Sequence, residues 1–186
     1  TVSAVEQFTS ALEPFGLRRS AVQSAFGMAE LCSGVTYHQP AAGEALRFYH
    51  VDRASLGAAL RAVEPGDPAA IAFASLGTVI PGVAMRIVDG AGQVLREREC
   101  GRLQFKGEAL SPGYFNNAEA NRAFGADGWF DTGDSGFIAD GELVLTGRAD
   151  AGIIVNGANF SNAEIEAVVE EVDGVVTSYV AACAVR

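Results

Sequence analysis

Five polar residues of types that can bind a ligand lie close together in the second half of the chain. We expect them at strand ends and turns, because the apolar runs between them are typical of strands bounded by glycine. A carboxylate just after a turn and a guanidinium at the end of a neighbouring hairpin can together hold a sugar diol and a phosphate. The alternative is a solvated hairpin with ordinary turn residues. The five residues are Asp131, Thr132, Asp134, Arg148 and Asp150.

The spacing around these residues predicts a hairpin followed by a joint. Asp140-Gly141 is a strong hairpin-turn signal, because glycine adopts positive φ without steric cost. The apolar runs Glu142–Thr146 and Ile153–Val155 are predicted strands. Between them, Ala149–Gly152 consists of small residues and Asp, a composition that suits a hinge.

Upstream, the sequence predicts one helix and then several short strands. Apolar spacing over Val2–Leu12 fits an amphipathic helix. Ala25–Glu30, which reads A-F-G-M-A-E, is predicted to be a small apolar turn that enters a helix, and core packing is the simplest interpretation of it. Glycine-bounded strands such as Val83–Val88 and Gly101–Gly107 indicate a small barrel or sandwich between about residues 76 and 148.

Three motifs in the same part of the chain carry a family resemblance. In order they read D-T-G-D-S-G-F, D-G-E-L-V-L-T-G-R-A-D and I-I-V-N-G-A-N-F-S-N-A-E-I-E. Together they resemble the adenylate-forming superfamily of acyl-AMP ligases, acyl-CoA synthetases and peptide-synthetase adenylation domains, and ordered motifs are more specific than any one alone. Within it, the chain looks most like the fatty-acyl-AMP-ligase branch of polyketide and nonribosomal peptide assembly lines. The resemblance covers nearly the whole chain, which is less than half of the family's usual length.

The resemblance implies a role for each motif residue around one bound nucleotide. The family's aromatic-Gly-x-x-Glu segment matches Phe26 to Glu30, where the aromatic ring lies against adenine and the glutamate, a catalytic residue, helps to ligate Mg²⁺. By the same match, Asp134 contacts the ribose hydroxyls, and Arg148, the second catalytic residue, contacts the ribose or a phosphate. The implied nucleotide-binding residues are Phe26, Gly27, Thr132, Asp134 and Arg148.

The resemblance also implies a domain organisation. The fold class is α/β plus a β-barrel, with residues 1–75 ending the sheet subdomain and residues 76–149 forming the barrel. Residues 150–186 are then the hinge and the truncated start of a small α+β C-terminal domain that pivots on Asp150. Arg102 replaces the glutamate that the family usually carries in its G-E-I-x-x-x-G strand, a departure that we expect to be structural.

The implied reaction is the activation of a fatty or other carboxylic acid. ATP with Mg²⁺ gives an acyl-adenylate, and the acyl group then passes to the phosphopantetheine thiol of an acyl or peptidyl carrier protein. The family's phosphate loop and catalytic lysine find no match here, since Lys106 is the only lysine and lies elsewhere. We therefore expect the chain to need the remaining half of its own enzyme and to be inactive alone. The alternative is a non-catalytic module for structure or carrier docking.

Composition limits the partners further. A formal net charge of −10 argues against nucleic acid, whose phosphates would be repelled, although local arginines can still hold ATP. The sequence has no continuous apolar run of about 20 residues, so no membrane span is predicted. Cys32, Cys100 and Cys183 are an odd number at wide, unpatterned spacing, and we expect buried or free thiols in a reducing cytoplasm rather than disulfides or a metal site. The first residue is Thr1, and we expect a piece of a longer polypeptide.

Overall fold

The computed structural model describes residues 2–41, 43–56, 58–149, 153–155, 158–160, 162–170, 172–176 and 179–183. Within these ranges it contains two α-helices, α1 (Val2–Leu12) and α2 (Asn162–Glu170), and eleven β-strands. The predicted helix over Val2–Leu12 is therefore confirmed. None of the described helices has the length and apolar character needed to cross a membrane.

Two small antiparallel sheets come from the first part of the chain. The first contains β1 (Ala25–Met28), β2 (Ser33–Tyr37) and β5 (Thr78–Val79), in the order β1-β2-β5. The second pairs β3 (Phe48–Asp52) with β4 (Ala70–Ala74). Because β5 pairs with β2, backbone hydrogen bonds connect the two sides of the predicted domain boundary at residue 75. The position of that boundary stays a prediction.

The largest sheet is a four-stranded antiparallel meander in strand order. It consists of β6 (Val83–Val88), β7 (Gly101–Gly107), β8 (Phe130–Ala139) and β9 (Glu142–Arg148). Asp140 and Gly141 join the last two strands at φ 53° and 75°, as a type I′ turn requires, so the predicted hairpin is confirmed. A last pair, β10 (Ile153–Val155) and β11 (Ala158–Phe160), is also antiparallel.

One apolar core connects the first sheet to the meander. Leu103 and Phe105 alternate along β7 and are fully buried, as the two-residue period of a strand requires of one face. The ring of Phe26 on β1 stacks on Phe105 with centroids 6.1 Å apart and planes at 18°. Burying each such side chain stabilises the fold by about 1.5–3 kcal/mol. The buried members of this cluster are Leu31, Val35, Val83, Ile87, Leu103, Phe105 and Leu143.

The segment that carries Phe26 and Glu30 differs from its prediction. Ala25–Met28 is a strand and not a turn that enters a helix, and Glu30 lies in the short 3₁₀ turn Ala29–Leu31. The reason is a long-range one, because β1 finds its hydrogen-bonding partner in β2 after a sharp reversal. In that reversal Cys32 and Ser33 have φ 60° and 105°. Local sequence does not encode such pairing.

Candidate active site

A cleft of about 690 Å³ lies between β1 and residues of β7, β8 and β9 in the meander. It is lined by Phe26, Gly27 and Glu30 from the first part of the chain, and by residues near position 130 and position 148 from the second. The structure thus brings together all of the predicted site residues except Asp150, which lies outside the described residues. Those brought together are Phe26, Gly27, Glu30, Asp131, Thr132, Asp134 and Arg148.

The pairing of β8 with β7 is interrupted where β8 lines the cleft. Its register against β7 pairs Gln104 with Asp131 and then Arg102 with Ser135. The three residues 132–134 therefore lie opposite the single residue Leu103, which makes a special β-bulge, larger than the usual two residues opposite one. The expectation that Asp131, Thr132 and Asp134 lie at strand ends and turns was wrong, since all three are inside β8 (Phe130–Ala139).

Side chains of β8 satisfy the backbone groups that the bulge removes from the sheet. Asp131 Oδ1 accepts a hydrogen bond from the Gly133 N–H at 3.0 Å. The Thr132 hydroxyl accepts from the Asp134 N–H at 3.0 Å and donates to the Leu103 carbonyl at 3.2 Å. Both bonds to N–H groups span two residues, as in Asx and ST turns. Thr132 is buried. Its main part in the site is to hold the Asp134 backbone in place through its hydroxyl.

The bulge presents Asp134 to Arg148 at the end of β9. Arg148 Nη1 donates to Asp134 Oδ1 at 3.1 Å and to the Thr132 carbonyl at 3.2 Å. The Asp134 side chain is 14% exposed and that of Arg148 is 56% exposed, so the carboxylate is sheltered and the guanidinium faces solvent. This carboxylate and guanidinium form the pair that the sequence suggested could hold a diol and a phosphate.

A glycine in the bulge allows this pair to form. Gly133 has φ +74°, and a Cβ at this position would lie 2.7 Å from Arg148 Nη2. Gly141 has nearly the same φ, +75°, but a Cβ there would meet nothing within 4 Å. Both backbones are strained for an L-residue, by about 1–2 kcal/mol. Only Gly133 also makes room for the guanidinium.

This difference gives a matched prediction. Gly133→Ala and Gly141→Ala are both expected to lower the free energy of unfolding by about 1 kcal/mol, as measured by urea denaturation. Gly133→Ala alone is expected to weaken AMP binding, by about tenfold, because the methyl group displaces Arg148 from Asp134. Equal AMP affinities in the two variants, measured by NMR titration, would show that this close approach has no role in the site.

On the opposite wall, the loop before β8 holds Glu30. The Ser111 N–H donates to the Glu30 carbonyl at 2.7 Å, and the Tyr114 hydroxyl donates to the Glu30 carboxylate. Tyr114 is itself fixed by Asn121, which accepts from the Tyr114 N–H at 2.7 Å and donates to the Tyr114 carbonyl at 2.9 Å. The tyrosine ring packs edge-on against Phe124 with centroids 5.6 Å apart.

The contact between Glu30 and Tyr114 can be tested by titration. The hydrogen bond to the Glu30 carboxylate, followed by burial and the carboxylate charge, raises the pKa of Tyr114 above its ordinary value. We expect Glu30→Gln to lower this pKa toward the ordinary value, as followed by ¹³C NMR of the tyrosine Cζ atoms. Glu142→Gln is the control, because Glu142 contacts Tyr49 instead, at 3.4 Å. A Tyr114 pKa that stays the same in Glu30→Gln would show that the contact is not formed in solution.

The carboxylates of the cleft fit Mg²⁺ only as an ion that substrate phosphates also bind. Among the described residues, no group of three or more His, Cys, Asp or Glu side chains could hold a metal ion. Asp131 and Asp134 are each paired with an arginine, and Glu30 with a tyrosine. Mg²⁺ commonly uses one or two carboxylates together with substrate phosphates. Glu30 therefore fits an ion that enters with the nucleotide.

Charge in the cleft differs from the charge of the whole chain. The lining holds three arginines and three carboxylates, so their formal charges cancel, although the net charge of the chain is −10. Local arginines can attract an anionic ligand against the overall field. The six residues are Arg102, Arg122, Arg148, Glu30, Asp131 and Asp134.

Three lining residues with polar or charged side chains were not among the predicted site residues. Arg102, Arg122 and Tyr114 all face the cleft. For Arg102 a signal existed, because Leu103 and Phe105 alternate as the buried face of β7 and Arg102 must lie on the other face. For Tyr114 and Arg122 no local pattern distinguishes a cleft wall from an ordinary surface loop.

Comparison with known proteins agrees with the geometry. No protein-family model matches the chain. It is, however, 35% identical over 176 residues to nonribosomal peptide synthetase apvA from Aspergillus terreus, an alignment that covers 94% of this chain and 17% of that protein. A solved multidomain structure of a keto acid-selecting nonribosomal peptide synthetase module, with adenylation, ketoreductase and pseudo Asub domains, is 41% identical. Its TM-score is 0.87, over 100% of this chain and 16% of that one.

Fatty acyl-adenylate ligases from E. coli and L. pneumophila also share the fold, with TM-score 0.82 and 28% identity over 95% of this chain and 32% of that one. The chain belongs to the adenylate-forming superfamily. The predicted fold class, α/β plus a β-barrel in the C-terminal part of the large adenylate-forming domain, agrees with these neighbours. In the described residues, the strands of the predicted barrel form the four-stranded antiparallel meander. The chain spans only a minor part of the length of each adenylate-forming relative.

Proposed function

We propose that this chain forms two facing walls of the nucleotide site in an ATP-dependent acyl-activating ligase. The observation that carries the proposal is convergence, since residues more than a hundred positions apart line one cleft. Phe26 and Glu30 form one wall, and Asp134 and Arg148 form the other. A relic kept only for its fold would not need an aromatic ring, two separate carboxylates and a guanidinium around the same space.

In the proposed reaction, a carboxylate oxygen of the acid attacks the α-phosphorus of ATP. The new acyl–phosphate bond forms as the bond to the bridging oxygen breaks, and pyrophosphate leaves. The thiol of a carrier-protein phosphopantetheine then attacks the acyl carbonyl, and the acyl–phosphate bond breaks to release AMP. The thiol proton passes to solvent. The acid is a fatty or other carboxylic acid, and the carrier is an acyl or peptidyl carrier protein.

Each cleft residue has a defined task in this proposal. The Phe26 ring offers a π-face to the adenine, and Asp134 accepts hydrogen bonds from the two ribose hydroxyls. Arg148 holds the Asp134 carboxylate by a hydrogen bond of 3.1 Å and points its exposed guanidinium at the ribose or a phosphate. Glu30 would hold Mg²⁺, which supplies positive charge to the phosphates. Gly27 lets β1 lie close to β2, because a Cβ there would overlap the Ser33 carbonyl oxygen, and it thereby keeps Phe26 and Glu30 beside the nucleotide.

We propose that the chain binds adenylate but does not complete the reaction alone. Lys106, its only lysine, donates to the Asp127 carbonyl at 2.6 Å and does not line the cleft. The lysine that stabilises charge developing at the α-phosphate comes, in this proposal, from the remaining half of the enzyme. In this proposal, residues 1–75 and 76–149 belong to the large domain, and the small domain begins at the hinge residue Asp150.

The free thiols Cys32, Cys100 and Cys183 suit a reducing compartment such as the cytoplasm.

Pyrophosphate exchange tests the proposed reaction directly. The polypeptide extended in both directions by its flanking coding sequence is expected to exchange labelled pyrophosphate into ATP when a suitable carboxylic acid is present. Glu30→Gln in that polypeptide is expected to lower the exchange rate. No exchange with any acid of a broad panel would instead support a non-catalytic module for structure or carrier docking.

A further inference from the structure

A second arginine–carboxylate pair lies beside the Asp134–Arg148 pair in the cleft. Arg102 Nε donates to Asp131 Oδ2 at 2.9 Å, and both residues line the cleft. The Asp131 side chain is 22% exposed, whereas Asp140, in the surface pair with Arg98, is 53% exposed. The Arg102–Asp131 pair is therefore more sheltered than a typical surface ion pair, whose contribution is small.

The position of this pair relative to the bulge is specific. Asp131 lies directly before the bulged residues 132–134, and Arg102 lies opposite Ser135, directly after them. The Arg102 side chain thus crosses the bulge and joins its two ends. The other oxygen of Asp131 accepts from the Gly133 N–H inside the bulge, at 3.0 Å.

We infer that Arg102 and Asp131 are a positioning pair. This pair, the clasp, connects the two ends of the bulge in β8 and so fixes the Asp134 carboxylate for the ribose diol. With Arg102 in place, the Asp131 carboxylate cannot rotate away from Gly133, and the turn at Gly133 keeps Asp134 in one orientation. The inference rests on the proposed function, in which Asp134 accepts the ribose hydroxyls. Arg102 acts through Asp131 and Gly133, as residues that support a binding group commonly do.

A purely structural role of Arg102 would affect the affinities for all adenine nucleotides, whereas the clasp affects only those that carry ribose hydroxyls. Loss of the clasp is expected to weaken only the part of the affinity that comes from the ribose hydroxyls. The affinity for AMP then falls, whereas the affinity for 2′,3′-dideoxy-AMP, which lacks both hydroxyls, stays the same. The ratio of the two affinities therefore reports on the clasp.

The test measures both ligands by NMR titration of the 186-residue chain. The unaltered chain is expected to prefer AMP, and Arg102→Gln or Asp131→Ala to reduce that preference about fivefold. In the Asp131→Ala background, Arg102→Gln is expected to have no further effect, because the two act as one unit. Arg102→Lys keeps the charge and is expected to restore part of the preference. Arg98→Gln is the matched control, since the Arg98 side chain is 47% exposed and that of Arg102 is 48% exposed.

The outcomes separate this inference from the proposed function. A chain that does not bind AMP, or binds both nucleotides equally, overturns the proposed function and the inference with it. A chain that prefers AMP and keeps the full preference in Arg102→Gln overturns the inference alone. Equal weakening of both nucleotides in Arg102→Gln also overturns it, because Arg102 would then contact another part of the ligand.

Amide hydrogen exchange provides a readout that needs no nucleotide. The Gly133 amide is expected to exchange about tenfold faster in Arg102→Gln than in the unaltered chain, while the Leu103 amide is unaffected. An unchanged rate at Gly133 would show that the bulge holds its shape without Arg102, and would overturn the inference.

Discussion

Replacing Asp134 by alanine is expected to weaken AMP binding by the chain by at least about 100-fold. In the proposed complex the carboxylate accepts two ribose hydroxyls, and hydrogen bonds to a charged group contribute about 1.5–3 kcal/mol each. The substitution also removes the partner that Arg148 contacts at 3.1 Å, so the guanidinium is no longer held over the cleft. NMR titration with AMP gives the dissociation constant of each variant directly.

Asp127→Ala is the matched control for this prediction. Asp127 also pairs with an arginine of the meander, Arg86, at 3.2 Å, but it does not line the cleft. Its removal is expected to leave AMP affinity unchanged. If the two aspartate variants weaken binding equally, Asp134 has no specific part in nucleotide recognition.

Replacing Gly27 by alanine is expected to lower the free energy of unfolding by about 3 kcal/mol. A Cβ on Gly27 would overlap the Ser33 carbonyl oxygen, which belongs to the backbone of β2 and cannot rotate away. The β1–β2 pair must then separate at its register shift, between Phe26 and Gly27. Since Phe26 and Glu30 flank this point, we expect the variant to lose AMP affinity as well. Urea denaturation monitored by circular dichroism measures the stability.

Gly90→Ala shows what a harmless glycine replacement does. A Cβ on Gly90 would meet nothing within 4 Å, and its φ is not in the left-handed region. We expect its free energy of unfolding to equal that of the unaltered chain within about 0.5 kcal/mol. A Gly27→Ala variant as stable as Gly90→Ala would mean that β1 and β2 do not approach each other as closely as the structure has them.

Local sequence was a good guide wherever one turn or one face decides the structure. Asp140-Gly141 predicted the β8–β9 hairpin, because two adjacent positive φ angles favour this pair of residues. The motif residues Asp134 and Arg148 are 14 positions apart in sequence, yet the hairpin register places them directly opposite each other. The turn alone would pair Asp134 with Gly147, and a register shift between Ser135 and Gly136 moves it opposite Arg148. Their meeting therefore needs this irregularity as well as the turn, and the sequence did not predict the irregularity.

The remainder of the site depends on contacts between distant segments, which local patterns do not report. Nothing near Ala25–Met28 indicates that this segment pairs with β2 as a strand. The bulge in β8 arises from three residues opposite Leu103, and register is a property of two strands. Tyr114 reaches Glu30 across 84 positions, so only the folded chain shows that contact.

A single NMR titration tests the central claim most directly. The claim is that Phe26, Glu30, Asp134 and Arg148 surround one nucleotide. When AMP is added to the ¹⁵N-labelled chain, amides of residues 26–30, 131–135 and 148 are expected to shift together with one dissociation constant. Amides of β3 and β4, which lie outside the cleft, are expected to stay in place. Shifts that are absent, or that spread over separate surfaces with different constants, would contradict the claim.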